Sequence, residues 1–182
     1  MVSVVRLQRG SLLFFFLLLT FAGAREFNTP ERALSRIFPG AQIEIKNLIL
    51  SREQKRKVEE LGRVRLDSRF VSFYLVRKDG RIIAYGYVDT HRVRTRSESV
   101  LFVINPSGEL ELVEVLAFNE PLEYMADESW LALFRGKALG RDQIRLKRDI
   151  PNITGSTLTA RVITRAARRA LALWKVLFGA ER

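Results

Sequence analysis

Residues 69–93, RFVSFYLVRKDGRIIAYGYVDTHRV, decide the fold of this 182-residue chain. Two runs rich in β-branched and aromatic residues, 69–77 and 81–93, stand on either side of Asp79-Gly80. Such runs around an Asp-Gly pair are typical of a β-hairpin. We therefore predict two antiparallel strands joined by a tight turn, with Gly86 as the candidate position of a bulge in the second strand.

The strand pattern continues towards the C-terminus. A polar loop is expected over residues 94–99 and a third strand over 100–104. The turn signal Asn105-Pro106-Ser107-Gly108 then leads into a fourth strand that ends near residue 118. Four strands joined by short turns form an antiparallel meander.

Helical signals precede this meander. We predict a helix over residues 30–38, stopped by Pro39-Gly40, and a brief strand over residues 43–50. Ser51 is followed three residues later by a glutamine, which is the pattern of a capping box at the start of a second helix. That helix is expected to end at Gly62, because glycine is the usual residue just beyond a helix.

Helical signals also follow the meander, with a short helix predicted over residues 127–134 and a long one over residues 157–178. The long helix has an apolar stripe at helical spacing, made of Leu158, Val162, Ala166, Ala170 and Leu173. The fold class is therefore α+β, an antiparallel sheet of about four strands packed by helices.

Composition limits the chemistry that the chain can perform. With 182 residues, of which 47% are hydrophobic, the chain suffices for one domain with a real core. It has no cysteine, which excludes disulfides, thiolate zinc sites, iron–sulfur clusters and covalent c-type haem. His91 is the single histidine, so a multi-histidine metal site is excluded as well. We predict no metal, and any redox chemistry must come from an organic cofactor.

Residues 1–24 have the features of a secretory signal peptide. Arg6 and Arg9 form the basic start, residues 12–21 are apolar, and Ala22-Gly23-Ala24 supplies small residues before a cleavage point. The apolar run is about half of the roughly 20 residues that a membrane span needs. An uncleaved N-terminal anchor is the alternative. In both cases the domain at residues 25–182 is expected in the periplasm or at the outer face of the cytoplasmic membrane.

The chain is strongly basic, with 31 Lys+Arg against 20 Asp+Glu and a net charge of +11. Removing residues 1–24 removes two arginines and leaves a net charge of +9. A basic exported protein is suited to peripheral contact with an anionic membrane or to an acidic partner. No nucleic-acid-binding motif is present, so we predict no nucleic-acid partner.

The stretch Ile153-Thr154-Gly155-Ser156-Thr157-Leu158-Thr159 precedes the last helix and is the candidate functional site. Unpaired backbone N–H groups at a helix start favour an anion such as phosphate. Gly155 allows the backbone to approach that phosphate, and the hydroxyls of Thr154 and Thr159 are expected to add hydrogen bonds. The hydroxyl of Thr157 is the candidate for covalent attachment. The alternative is an ordinary helix cap without a ligand.

Thr154-Gly155-Ser156-Thr157, followed by Leu158-Thr159 and an amphipathic helix, resembles the signature of the FMN-binding domain family. That family includes the covalently flavinylated subunits of the sodium-pumping NADH:quinone reductase and of the Rnf complex. The resemblance implies that the phosphate of flavin mononucleotide (FMN) is esterified to Thr157. Family members usually have an aspartate six residues before the modified threonine, where this chain has Pro151, and the nearest acidic residue is Asp149.

Other segments are similar to a small, stand-alone branch of the same family. They are residues 38–41, 84–87, 89–91, 115–124 and 130–136. The resemblance thus covers most of residues 30–178 and implies a flavoprotein of the cell envelope that carries electrons. Its implied partners are a flavin transferase, which attaches the FMN, and membrane electron-transfer proteins. Whether the FMN is covalently or non-covalently held stays open.

The flavin ring needs an aromatic or apolar wall and one or two hydrogen-bond donors. Tyr124, Trp130 and Phe134 are the candidates for the wall, although core packing is the simpler interpretation of Trp130 and Phe134. His91 and Arg94 are the candidates for the donor, because a positive group near the ring favours its reduced anion. The cofactor-binding residues are therefore predicted to be His91, Tyr124 and the six residues 154–159.

Three functions are compatible with these features. We expect an extracytoplasmic electron carrier rather than a stand-alone enzyme, and no catalytic residue is assigned. One alternative is a flavin-dependent reductase that acts directly on an exported substrate. Another is a flavin-free basic module that binds the envelope through the arginine face of the last helix. Glu120, Glu123 and Asp127 are interpreted as an exposed acidic loop before a helix, not as an acid–base pair.

Overall fold

Six antiparallel strands form one sheet in the computed structural model, which describes residues 25–26 and 28–179. The predicted signal segment, residues 1–24, lies outside the described residues. The strands are β1 (Arg25–Glu26), β2 (Gln42–Ile49), β3 (Phe70–Lys78), β4 (Arg81–Arg92), β5 (Ser97–Ile104) and β6 (Leu110–Phe118). Their order in the sheet is β1-β6-β5-β4-β3-β2, so consecutive strands from β2 to β6 are neighbours. The predicted antiparallel meander is confirmed.

Four α-helices pack on this sheet within the described residues, which confirms the α+β class. They are α1 (Pro30–Ile37), α2 (Arg52–Gly62), α3 (Glu128–Leu131) and α4 (Thr157–Leu177), with 3-10 turns at Leu122–Tyr124 and Ala132–Phe134. Among the helices in the described part of the chain, none is long and apolar enough to cross a membrane.

The hairpin between β3 and β4 forms as predicted. Asp79 and Gly80 both take positive φ, at 51° and 74°, as in the type I′ turn that an Asp-Gly pair favours. The predicted capping box also forms, because the Ser51 hydroxyl accepts from the Gln54 N–H and the Gln54 side chain accepts from the Ser51 N–H. Local sequence signals therefore suffice for these two features.

Strand β5 is buried on both faces, and its alternating side chains separate two hydrophobic cores. Val100, Phe102 and Ile104 point to the larger core beneath α2, α3 and α4. Leu101 and Val103 point to the smaller core beneath α1. Because residues alternate across a strand, one run of five apolar residues serves both layers. The sheet is thus the middle layer, and α4 lies on its more extensively covered face.

The buried face of α4 differs in part from the predicted stripe. Leu158 is 40% exposed, whereas Ala166, Ala170 and Leu173 are buried as expected. The rest of the buried face is displaced around the helix, at Ile163, Ala167, Leu171, Ala172 and Trp174. Thr159 and Ala160 in the same turn are buried, so α4 turns a different side of its first turn to the core than the predicted stripe implies.

Two glycines allow close packing, and the predicted end of α2 at Gly62 is confirmed. Gly62 is the last residue of α2, and Arg63 takes the left-handed position beyond it with φ 47°. A Cβ on Gly62 would lie 3.1 Å from the Ala172 Cβ, so α2 and α4 approach closely there. Gly86 pairs regularly with Tyr74, and a Cβ on it would lie 3.0 Å from the Leu34 Cδ1. The predicted bulge at Gly86 is wrong.

The loop predicted over residues 94–99 is shorter than expected, because Ser97, Glu98 and Ser99 belong to β5. They pair with Arg92, His91 and Thr90 of β4. These polar residues can form strands because the buried Glu98 side chain on β5 pairs with His91 on β4.

Replacing Gly108 with alanine is expected to destabilise the protein by about 2–4 kcal/mol. Gly108 has φ 85°, and a Cβ there would overlap the indole ring of Trp174, lying 2.9 Å from its Cη2. Gly80→Ala is the matched control, since Gly80 has φ 74° but nothing within 4 Å of an added Cβ. Urea unfolding should show a loss of only about 1 kcal/mol for the control. Equal losses for the two variants would contradict the packing of Gly108 against α4.

Candidate functional site

A tight turn precedes α4. The Ser156 N–H donates to the Ile153 carbonyl at 3.1 Å, and Gly155 takes φ 80°. A positive φ at the third residue of such a turn is typical of type II and favours glycine. Nothing lies within 4 Å of where a Gly155 Cβ would be, so the backbone is open to an approaching group.

Two buried hydroxyls fix the first turn of α4 to the 3-10 turn at Leu122–Tyr124. The Ser156 Oγ donates to the Glu123 carbonyl at 3.2 Å, and the Thr159 Oγ1 donates to the Tyr124 carbonyl at 2.6 Å. Ser156 is 4% exposed and Thr159 1% exposed. The Thr159 hydroxyl proton is therefore used within the fold, so this hydroxyl does not serve as the phosphate donor that we expected.

The start of α4 has no side-chain cap. Thr29, Ser51 and Asp127 cap helices α1, α2 and α3 with side-chain oxygens. Ser156 occupies the same position before α4, but its side chain makes no capping hydrogen bond. The N–H groups of the first turn, residues 157–159, thus have no side-chain acceptor in the described part of the chain. Together with the dipole of a 21-residue helix, they favour a negatively charged group.

This helix start opens into a cavity of about 250 Å³. Arg94 and Tyr124 line it together with five consecutive residues, 155–159. Six predicted cofactor-binding residues, together with the donor candidate Arg94, therefore meet in one place. Thr154 is exposed beside the turn and does not line the cavity, and neither does His91.

Glu120 holds the backbone of Arg94, the cation that lines the cavity. Its Oε1 accepts from the backbone N–H groups of Arg94, Thr95 and Arg96 at 3.1, 2.6 and 2.8 Å. These bonds, chiefly those from Arg96 and Thr95, lower the pKa of Glu120. The Arg94 guanidinium lies over the Tyr124 ring, 4.9 Å from its centroid. Glu120 is only 8% exposed, so the interpretation of this residue as part of an exposed acidic loop is wrong.

Thr157 is half-buried, and its hydroxyl oxygen has one hydrogen-bond partner among the described residues. The Asn152 Nδ2 donates to the Thr157 Oγ1 at 2.9 Å. This contact uses a lone pair of the hydroxyl and leaves its proton available for removal. Sequence reasoning missed Asn152, because an asparagine five residues before a threonine is not a recognised motif.

Trp130 and Phe134 belong to the core, at 6% and 0% exposed. The Trp130 Nε1 donates to the Pro151 carbonyl at 2.9 Å, so the segment before the turn is fixed to α3. Asp149, the acidic residue nearest to Pro151, binds the backbone of an earlier segment. Its carboxylate accepts from the backbone N–H groups of Ile144 and Arg145, each at 2.8 Å.

His91 is part of a buried charge cluster. Its Nδ1 lies 2.9 Å from the Asp89 Oδ1 and its Nε2 lies 3.0 Å from the Glu98 Oε2, while Arg169 of α4 pairs with Asp89 at 2.7 Å. Burial opposes protonation of the imidazole, but the two carboxylates outweigh it and raise the pKa of His91 to about 9. Protonated His91 and Arg169 therefore balance the two carboxylates and connect α4 to the sheet. Both ring nitrogens of His91 are engaged by this cluster.

No family model matches this chain, and no curated protein is significantly similar to it. Function must therefore be inferred from the residues and their geometry.

We expect the stability of the protein to fall as the pH rises through about 9. The pKa of His91 in the folded state is about 9, above its ordinary value of 6.5. The contribution of its charge is therefore complete below about pH 6.5 and is lost as the folded imidazole deprotonates. The loss should be on the order of 2 kcal/mol between pH 6.5 and 9.5.

The measurement is the free energy of unfolding in urea at several pH values, for the wild type and for His91→Gln. The variant keeps a hydrogen-bonding side chain but has no group that titrates here. Its curve should lack the wild-type decrease over this pH window. Parallel curves for the two proteins would show that His91 is not charged in the folded cluster.

Proposed function

We propose that this protein is an extracytoplasmic electron carrier that holds FMN, esterified through its phosphate to Thr157. The observation that carries the proposal is the uncapped start of α4, where Thr157 lies in a cavity beside Arg94 and Tyr124. The secretory features of residues 1–24 support a location outside the cytoplasm. When bound, FMN would supply the one- and two-electron chemistry that no side chain of this chain offers.

The residues at the helix start fit the phosphate end of FMN. The N–H groups of residues 157–159 supply donors, and the open backbone at Gly155 leaves room for phosphate oxygens. The Asn152 amide orients the Thr157 hydroxyl while leaving its proton free. A modifying enzyme would then need to remove only that proton for the oxygen to attack phosphorus.

The remaining space is compatible with a carrier. The cavity of about 250 Å³ is smaller than the roughly 300–1,000 Å³ typical of sites that enclose a drug-sized ligand. It would hold part of the cofactor and leave the rest accessible at the surface. An accessible flavin is suited to electron exchange with partner proteins, and a covalent bond would prevent its loss by dilution.

Charge and stacking at the cavity also favour a flavin. Arg94 is the one cation among the described residues that line this cavity, and Glu120 fixes its backbone. A positive group beside the ring would favour its reduced anion and raise its potential. Tyr124 supplies the aromatic surface, whereas His91 is engaged in the charge cluster and does not line this cavity.

Intact-mass measurement of the exported protein tests this proposal. The wild type, produced together with an active flavin transferase, should gain the mass of one FMN minus water, because one phosphoester forms. Thr157→Ala should abolish the gain. Ser107→Ala is the control, since it removes an exposed hydroxyl at the turn between β5 and β6, outside the predicted site. That control should retain the modification.

Two results would contradict the proposal. An unmodified, colourless wild type from a host whose transferase modifies a known acceptor would favour the flavin-free binding module. A mass gain that persists in Thr157→Ala would place the attachment on another residue.

A further inference from the structure

A second cavity begins at Thr157 and is lined by basic residues. It encloses about 370 Å³ between α4 and the segment before it. Five cations line it, and no acidic residue is among its lining residues. We call it the basic groove, and its cations are Arg145, Lys147, Arg161, Arg165 and Arg168.

The charge of the basic groove is not neutralised by the protein. Elsewhere basic side chains pair with carboxylates, as Arg77 does with Glu44 and Arg169 does with Asp89. None of the five groove cations forms an ion pair within the described residues. Five like charges around one concave surface repel each other, and a bound anion would relieve that repulsion.

Arg168 shows the effect of this repulsion. Burial, followed by the charges of Arg145, Arg63 and Arg165, lowers its pKa. Its Nη2 donates to the Arg63 carbonyl at 2.6 Å, but its buried Nε has no hydrogen-bond partner within the described part of the chain. A buried donor without a partner is costly, and an acceptor bound beside Arg168 would remove that cost.

The basic groove and the smaller cavity share one residue, Thr157. An anion in the groove would therefore lie beside the hydroxyl that the proposed function assigns as the attachment point. We propose that the basic groove binds the phosphate of the adenylate half of the flavin dinucleotide that donates FMN. This inference rests on the proposed function. It means that the protein that receives the FMN also helps to position the flavin dinucleotide.

The covalent step releases a second phosphate, whose charge must be stabilised as it leaves. The Thr157 oxygen forms a bond to the phosphorus on the flavin side, and the phosphoanhydride bond to the adenylate breaks. The hydroxyl proton passes to a base of the transferase, and adenylate leaves with the bridging oxygen. Cations close to a leaving phosphate stabilise the charge that develops on it.

A compact polyanion fits the basic groove better than an acidic peptide does. Each side-chain carboxylate carries one charge, whereas phosphate groups concentrate several charges in a small volume. Arginine also binds phosphate through paired N–H donors. The size of the groove, about 370 Å³, is that of a small-ligand site rather than of a protein interface.

Binding of inorganic pyrophosphate is the direct test. The full exported chain with Thr157→Val, which cannot be flavinylated, is titrated by calorimetry in 0.15 M salt. Adding Arg161→Gln and Arg165→Gln, both at exposed positions, should weaken binding at least tenfold. The matched control adds Lys78→Gln and Arg81→Gln, which remove the same charge at the exposed β3–β4 hairpin. That control should change the affinity less than twofold.

The rate of flavin loading by the transferase is the second readout, measured with Thr157 intact. The groove substitutions should slow loading at least tenfold, and the hairpin substitutions should not. Three results would each overturn the inference. They are no binding of pyrophosphate, equal effects of the two pairs of substitutions, and tighter binding of a glutamate-rich peptide than of pyrophosphate. These results are separable from failure of the proposed function, which is an unmodified wild type.

Discussion

Two hydrogen bonds at the first turn of α4 are the constraint on which the rest of the site depends. Ser156 and Thr159 direct their hydroxyls to carbonyls of the 3-10 turn at Leu122–Tyr124. Ser156 stands at the cap position, but its side chain makes this tertiary contact and no capping hydrogen bond. The N–H groups of the first turn stay available, the turn at Gly155 remains open, and Tyr124 is held beside Thr157. The same contacts that fix the helix thus leave its positive end facing a cavity.

Buried charges also connect α4 to the sheet. The Asp89–His91–Glu98 cluster is closed by Arg169, which lies on α4. The helix is therefore held at its first turn by hydroxyls and further along by a buried ion pair. Arg161, Arg165 and Arg168 of α4 line the basic groove, and none of them forms an ion pair within the described residues. One helix thus carries both positive charge used for stability, at Arg169, and positive charge left for a ligand, at the groove.

Sequence reasoning recovers what local signals determine and misses what distant packing determines. The Asp79-Gly80 turn and the Ser51 capping box depend on neighbouring residues, and both form as predicted. Gly86 is misread because a glycine that signals a bulge is indistinguishable in sequence from one that admits a neighbouring helix. Glu120 is misread because its partners lie 24–26 residues away in another loop. Arg94 and Tyr124 lie at one cavity with residues 155–159. Their spacing in the sequence does not predict this; the family resemblance and the chemical needs of a flavin do.

The central claim is that the start of α4 recognises a phosphate attached to a flavin. Its most direct test uses the wild-type chain produced without a flavin transferase, titrated with FMN and, separately, with riboflavin, with flavin fluorescence as the readout. The two ligands share the ring and the ribityl chain and differ only in the phosphate. FMN should bind at least tenfold more tightly than riboflavin, a difference of about 1.4 kcal/mol. Equal affinities, or binding of neither ligand, would contradict the account.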